Sequence, residues 1–235
     1  MHVITATDLK THRLAKPDVP DTAEVTLDGE RIVFVAYETD PTPVNPCEDW
    51  EGLGSIRSLS TRHLHSISGD EARTLLANDT DVIRLSYFEH GQCMWGVQGT
   101  MSNTPDFQWD GAHFAGIWIP DSCVKDSAEY EKLVCDTPER RAWMATQAAA
   151  ACEVYTEWCN GYVYTWAITA YLVRYAANGE AFDTVDDYRF DSKVYDASCS
   201  GYYGDDNLQA ALTEGEAAYW YDRTGVPPVT DSEEK

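Results

Sequence analysis

The chain has 235 residues, a net charge of −23 and a 43% apolar share. That is long enough to bury a proper core, while so few Lys and Arg exclude a non-specific nucleic-acid binder, which needs clustered cations. Seven cysteines without a Cys-x-x-Cys pair, behind an N-terminus that lacks a basic-plus-apolar leader, exclude a disulfide framework and predict free thiols in a reducing cytoplasm.

The acidity has three readings: charge for solubility, adaptation to high salt, or imitation of a phosphate backbone. From Glu180 to the C-terminus, fourteen Asp and Glu stand against Arg189, Lys193, Arg223 and Lys235. A nucleic-acid mimic would gather such acids into a stripe, with Asp183, Asp186, Asp187, Asp191, Asp205 and Asp206 as its binding residues.

In chain order, residues 1–22 read as an irregular lead-in, 23–224 as one domain, and 225–235 as an acidic, disordered tail. Glu24-Val25-Thr26-Leu27 and Arg31 to Tyr37 flank Asp28-Gly29, a hairpin signal. Thr39 to Trp50 carries three prolines and is expected to be a loop. Gly54 to Leu59 alternates as a short strand. Asp70 to Ala77 is a helix with Ala72, Leu75 and Leu76 on its apolar side. Val82 to Phe88 and Cys93 to Val97 form a second hairpin through Glu89-His90-Gly91. Phe114 to Ile119 is a strand that stops at Pro120, and Ser127 to Cys135 is a short helix.

Thr137-Pro138-Glu139 opens a long helix: Thr as N-cap, Pro at the first position, Glu at the positive end. Met144, Ala148, Ala151, Tyr155 and Trp158 share one face, with Arg140 largely away from it, and Asn160-Gly161 ends the run. The next stretch, Tyr162 to Val173, is aromatic, β-branched and uncharged, which predicts a central strand covered on both faces. It is too short for a membrane span. Tyr188 to Tyr195 returns antiparallel to it, and Leu208 to about Asp222 is a last helix weakened by Gly215. The fold class is therefore α+β: a mainly antiparallel sheet with the long helix and a C-terminal helix packed on it.

Few patterns carry chemistry. His63-x-His65 could place two imidazoles on one face, but two ligands are not a metal site. His90 at a hairpin tip, Asp110 and Cys199 could form a thiolate–imidazole–carboxylate set. Trp109-Asp110-Gly111 also reads as a plain turn. Asp183 to Asp191 lacks the spacing of a calcium loop. There is no phosphate-binding glycine loop, no Gly-x-Ser-x-Gly and no His-Glu-x-x-His, and no cofactor is expected.

Several phrases share their order with one family. Asn45-Pro46 precedes Asp49-Trp50-Glu51-Gly52-Leu53-Gly54-Ser55, and Arg62-His63 follows. Tyr87 with Glu89-His90-Gly91 comes next, then Trp109-Asp110 with Gly116-Ile117-Trp118-Ile119. Tyr155-x-x-Trp158-x-x-Gly161-x-Val163-Tyr164 and Asp196 to Gly204 complete the set. Together they resemble an uncharacterised family of tailed phages and other mobile elements. The chain departs from it in the last phrase, with one extra residue before Cys199 and Ser200 in place of Trp. The resemblance implies a phage accessory protein of an infected cell and brings no catalytic residues. The expectation is a cytoplasmic protein that binds and modulates a host protein, with a nucleic-acid-handling or defence enzyme as the favoured target through a DNA-mimicking surface, without binding nucleic acid or membrane itself. The alternatives are a small hydrolase-like enzyme using His90, Asp110 and Cys199, and a virion structural component.

Overall fold

The structure, a computed structural model, describes residues 24–28, 31–174 and 189–207, with 210, 213–215, 217–219 and 222 beyond them. The fold is α+β with antiparallel sheets, a long helix and a C-terminal helix. Where one domain is expected from sequence, the contacts gather into two compact units. Residues 42–162 form one, and residues before 42 and after 162 form the other. The expected lead-in and tail lie outside the described residues.

The 42–162 unit is built on four strands: β3 (Ser55–Ser58), β4 (Ile83–His90), β5 (Gln92–Val97) and β6 (Gly111–Ile119), in the order β3-β6-β4-β5. Helices cover both faces. On one, α6 (Pro138–Asn160) buries Met144, Ala148, Ala151, Cys152 and Tyr155 against Ile56, Leu85, Trp95 and Trp118. On the other, α2 (Gly69–Asn78) buries Ala72 beside Val82 and Ile117, with Leu75 and Leu76 at its edge. Ile117 and Trp118 are neighbours in β6 and fall on opposite faces, as pleating requires.

The ends of α6 follow from its sequence. Thr137 Oγ1 accepts from the Arg140 N–H at 3.3 Å, Pro138 opens the helix, and Gly161 closes it at φ 78°. Four short helices punctuate the loops: α1 (Pro46–Asp49), α3 (Phe107–Asp110), α4 (Ser122–Lys125) and α5 (Ala128–Glu131). The first breaks the expected loop of residues 39–50, because the Asn45 side chain accepts from the Cys47 N–H and Pro46 sits at N1.

Two polar clusters fix these loops. Asp121 Oδ2 accepts from the N–H groups of Gly52 (2.7 Å) and Gly54 (3.1 Å), while its Oδ1 caps α4 through Val124 at 2.8 Å. The same loop takes the Trp118 indole N–H on Leu53 O at 2.7 Å. Behind α5, Arg140 donates from Nε to Asp81 Oδ1 (2.8 Å) and from Nη2 to Oδ2 (2.5 Å). The Tyr130 hydroxyl donates to the same Oδ2 at 2.7 Å, and its ring lies 4.0 Å under the Arg140 guanidinium.

The other unit carries β1 (Glu24–Asp28), β2 (Arg31–Thr39), β7 (Val163–Arg174) and β8 (Arg189–Tyr203), in the order β1-β2-β7-β8. Asp28 faces Arg31 across the expected hairpin. Strand β7 is internal, as its composition predicts. Trp166, Ile168 and Ala170 are buried, while Thr165, Ala167 and Thr169 are half-buried, so beyond the buried Val163 at the strand's start full cover is confined to one face. Positions 210, 213–215, 217–219 and 222 are helical, and Tyr219 packs with Trp166 and Val33. Gly215, out of place by helix propensity, is explained by packing: a Cβ there would lie 3.1 Å from the Trp166 indole. No described helix is long and apolar enough to cross a membrane.

Candidate functional site

The 42–162 unit contains a cavity of about 650 Å³. Its base is the β4–β5 hairpin, which turns at Gly91. Alternation along the strands puts Tyr87 opposite Trp95 and Glu89 opposite Cys93, and these four side chains line the cavity. The last turns of α6 bring Tyr155, Trp158, Cys159 and Asn160. The loop after β3 supplies Arg62, His63 and Leu64, and Pro43 completes the wall.

Side chains of α6 seal the open edge of β5. Asn160 accepts from the Cys93 N–H at 2.9 Å and donates to the Cys93 carbonyl at 3.0 Å, while Thr156 Oγ1 accepts from the Trp95 N–H at 3.0 Å. One helical turn and two strand residues both span roughly 6 Å, so the two rows match. An edge strand otherwise presents unpaired backbone groups. Gln92 also donates from Nε2 to the Tyr162 hydroxyl.

Aromatic rings run continuously around the wall. Ring centroids are 4.8 Å apart for Tyr87–Trp95, 5.9 Å for Trp95–Tyr155 and 5.4 Å for Tyr155–Trp158. The Trp158 indole N–H donates to Pro43 O at 3.2 Å, which fixes the ring. His63 meets Tyr87 and Trp95 edge-on and has Nδ1 2.7 Å from the buried Ser58 Oγ. Burial, then the Arg62 charge, lowers the His63 pKa, so the ring is neutral at pH 7. The Tyr87 hydroxyl donates to Glu89 Oε2 at 2.9 Å, and burial together with Glu89 raises its pKa. Arg62 stands 3.8 Å from the same carboxylate oxygen. The wall is therefore aromatic, with one carboxylate and one guanidinium opposed at its rim.

Two thiols, Cys93 and Cys159, also line the cavity. Thiolate character falls on Cys93, because the neighbouring Cys159 side chain lowers its pKa, while Cys159 lies in the last turn of α6, where the helix end disfavours negative charge. Cys47 and Cys152 are packed inside; burial pushes the Cys47 pKa up to about 11 and raises that of Cys152.

Of the residues nominated from sequence, His90 and Asp110 meet: His90 Nδ1 is 2.8 Å from Asp110 Oδ2. The pair is open to solvent, with side chains 68% and 38% exposed. Asp110 raises the His90 pKa through its hydrogen bond and charge. Replacing Asp110 by Asn is expected to lower the His90 titration midpoint towards that of a free imidazole, read from its ring proton shifts by NMR. An unchanged midpoint would show that the pair does not form in solution.

Cys199 belongs to the other unit. It is exposed on β8, where its thiol lies 3.7 Å from Ser200 O. Asp205 accepts from the Tyr164 hydroxyl. The backbones of Asp191 and Asp206 are placed in β8 and in the 3-10 turn Asp205–Asn207, whereas Asp183, Asp186 and Asp187 lie outside the described residues. His65 pairs with Glu48 at 3.0 Å, away from His63's bond to Ser58. Among the described residues no group of three or more His, Cys, Asp or Glu is placed to hold a metal ion.

The aromatic wall was not singled out from sequence. Its one sequence signal is indirect: Arg62-His63, Tyr87 with Glu89 and Gly91, and Tyr155-x-x-Trp158 belong to three separate phrases singled out in the sequence, and all seven residues line the cavity. Comparison of the chain with protein-family models, with curated proteins and with solved structures finds no match.

Proposed function

We propose that the chain is an acidic accessory protein of the phage type that binds and modulates a host protein, and that the aromatic cavity receives an apolar or aromatic side chain of that partner. The observation that carries this reading is the cavity itself. It is an aromatic-walled hollow of about 650 Å³, to which residues of three phage-like phrases contribute. An aromatic pocket of this kind, once a partner covers it, is where binding energy concentrates at a protein interface. The net charge of −23 supplies long-range attraction to a basic partner, such as a nucleic-acid-handling or defence enzyme.

Leu64 is the residue to change. It lines the cavity and is 79% exposed, so Leu64→Asp leaves the core alone. Tagged wild-type and Leu64→Asp chains would be used to capture partners from nuclease-treated host lysate at low and high salt. The expected result is a basic partner held by the wild type, weakened at high salt as charge attraction is screened. Leu64→Asp should hold it about tenfold less, as loss of a central contact does. Equal capture by both chains would remove the cavity from the interface. No partner at either salt would favour a second reading, an enzyme, for which the hydrogen-bonded His90–Asp110 pair is the supporting observation.

A further inference from the structure

We infer that Cys93 and Cys159 form a dithiol modification site on the cavity wall, which a low-molecular-weight disulfide closes into an intramolecular bond. This goes beyond partner binding and does not depend on it.

Three observations carry the inference. The two side chains come to the same stretch of cavity wall, Cys93 from β5 and Cys159 from the last turn of α6, near enough for each to shift the other's pKa, Cys93 down and Cys159 up. Their backbones are held together by the neighbouring residue: Asn160, next to Cys159, makes both of its amide bonds to the peptide groups of Cys93, at 2.9 and 3.0 Å. Both side chains line a cavity large enough for a small disulfide to enter. The remaining cysteines do not line the cavity: Cys152 is buried in the core, Cys47 is partly buried against it, and Cys123, Cys135 and Cys199 are exposed elsewhere, as Cys159 is at the cavity.

The chemistry balances with one molecule of disulfide. The Cys93 thiolate attacks one sulfur of RSSR, the S–S bond breaks, and RS⁻ leaves to take up the proton that Cys93 had released. Cys159 then gives up its proton and attacks the Cys93 sulfur of the mixed disulfide, and a second RSH departs. Two thiols are oxidised by two electrons, and RSSR is reduced to two RSH. The order follows from the thiolate favoured at Cys93 and the neutral thiol at the helix end. Closure ties the edge strand to the end of the long helix and replaces two polar groups on the cavity wall by one S–S bond.

The test uses the full chain, reduced and then exposed to oxidised glutathione, with peptide sequencing by mass spectrometry. The expected product joins Cys93 to Cys159, while exposed Cys123 and Cys135 carry glutathione. In Cys159→Ser, which has no second thiol to resolve it, glutathione remains on Cys93. In Cys93→Ser, labelling of Cys159 falls on the order of tenfold below that of Cys93 in the converse variant. Glutathione on both Cys93 and Cys159 of the wild type, with no linked peptide, would overturn the inference. So would both thiols remaining free while Cys123 reacts. A linked peptide, with glutathione retained on Cys159 in Cys93→Ser but absent from Cys159→Ser, would overturn the assigned order.

Discussion

Replacing Arg140 by Met is expected to lower the unfolding free energy by about 3–5 kcal/mol, because the variant strands a carboxylate inside the protein. Asp81 and Arg140 have side chains only 6% and 12% exposed, and two parallel hydrogen bonds join them. Burial alone would raise the Asp81 pKa. The Arg140 hydrogen bonds outweigh it and, with Tyr130, hold the carboxyl below its usual range. The pair's contribution is therefore fully present above about pH 4, and is lost as the pH falls through the depressed native value. Unfolding by urea at pH 7 and at low pH measures both statements. The double variant Asp81→Leu with Arg140→Met should recover part of the loss, since no buried charge is left. A loss below about 1 kcal/mol in Arg140→Met would mean that the pair behaves as a surface salt bridge.

The second large effect is expected at Gly54. Its φ of +68° is a left-handed conformation, and a Cβ there would lie 2.6 Å from Ile119 O and 2.7 Å from Trp118 Nε1. Gly54→Ala thus combines roughly 1 kcal/mol of backbone strain with about 1–3 kcal/mol of overpacking against a fully buried indole. The loop cannot simply move away. The Gly54 N–H is bound to Asp121, and the adjacent Leu53 carbonyl is bound to Trp118. Gly52 is the control. It too has positive φ, at +92°, but nothing lies within 4 Å of its Cβ position, so Gly52→Ala should carry the backbone part alone. Thermal unfolding of the two variants separates these contributions. Equal losses at both positions would show that close packing on Trp118 is not what requires a glycine at residue 54.

These two sites also mark where sequence could and could not be read. Helix α6 was legible at both ends because its caps are local: Thr137, Pro138 and Gly161 act within one turn. Arg140, on the same helix, was placed away from the apolar face, but it stands one turn before Met144 on that face and is nearly buried, where Asp81 and Tyr130 of α5 pair with it; its charge, not the helical period, hid this. Strand β8 was expected to end at Tyr195 and continues to Tyr203. Pairing with β7 draws the Ser- and Gly-rich stretch into the sheet, where Thr165 Oγ1 donates to Cys199 O at 2.7 Å. Tertiary pairing here overrides weak strand propensity. The candidate site was half legible. His90 and Asp110 were nominated and meet, whereas Cys199 lies in the other unit. The cavity was missed because Tyr87 and Trp95 read as ordinary strand residues and Tyr155 and Trp158 as an ordinary helix face; only their convergence makes a hollow.

The order β1-β2-β7-β8 has a consequence for the chain as it is made. Strand β2 pairs with β7 along its whole length, from Arg31↔Leu172 to Thr39↔Tyr164, yet the entire 42–162 unit is synthesised between them. At about 5–20 residues per second, β2 waits roughly 6–25 s for its partner strand. During that time β1 and β2 can form only a two-stranded ribbon, which is marginal alone and offers Ile32, Val33 and Phe34 along an open edge. The 42–162 unit, continuous in sequence, can fold within the same interval, and doing so contracts the loop that must close before β7 reaches β2. The order expected during synthesis is therefore that the cavity-bearing unit forms first and the sheet that brackets it in sequence forms later, after the longest strand-to-strand closure among the described residues.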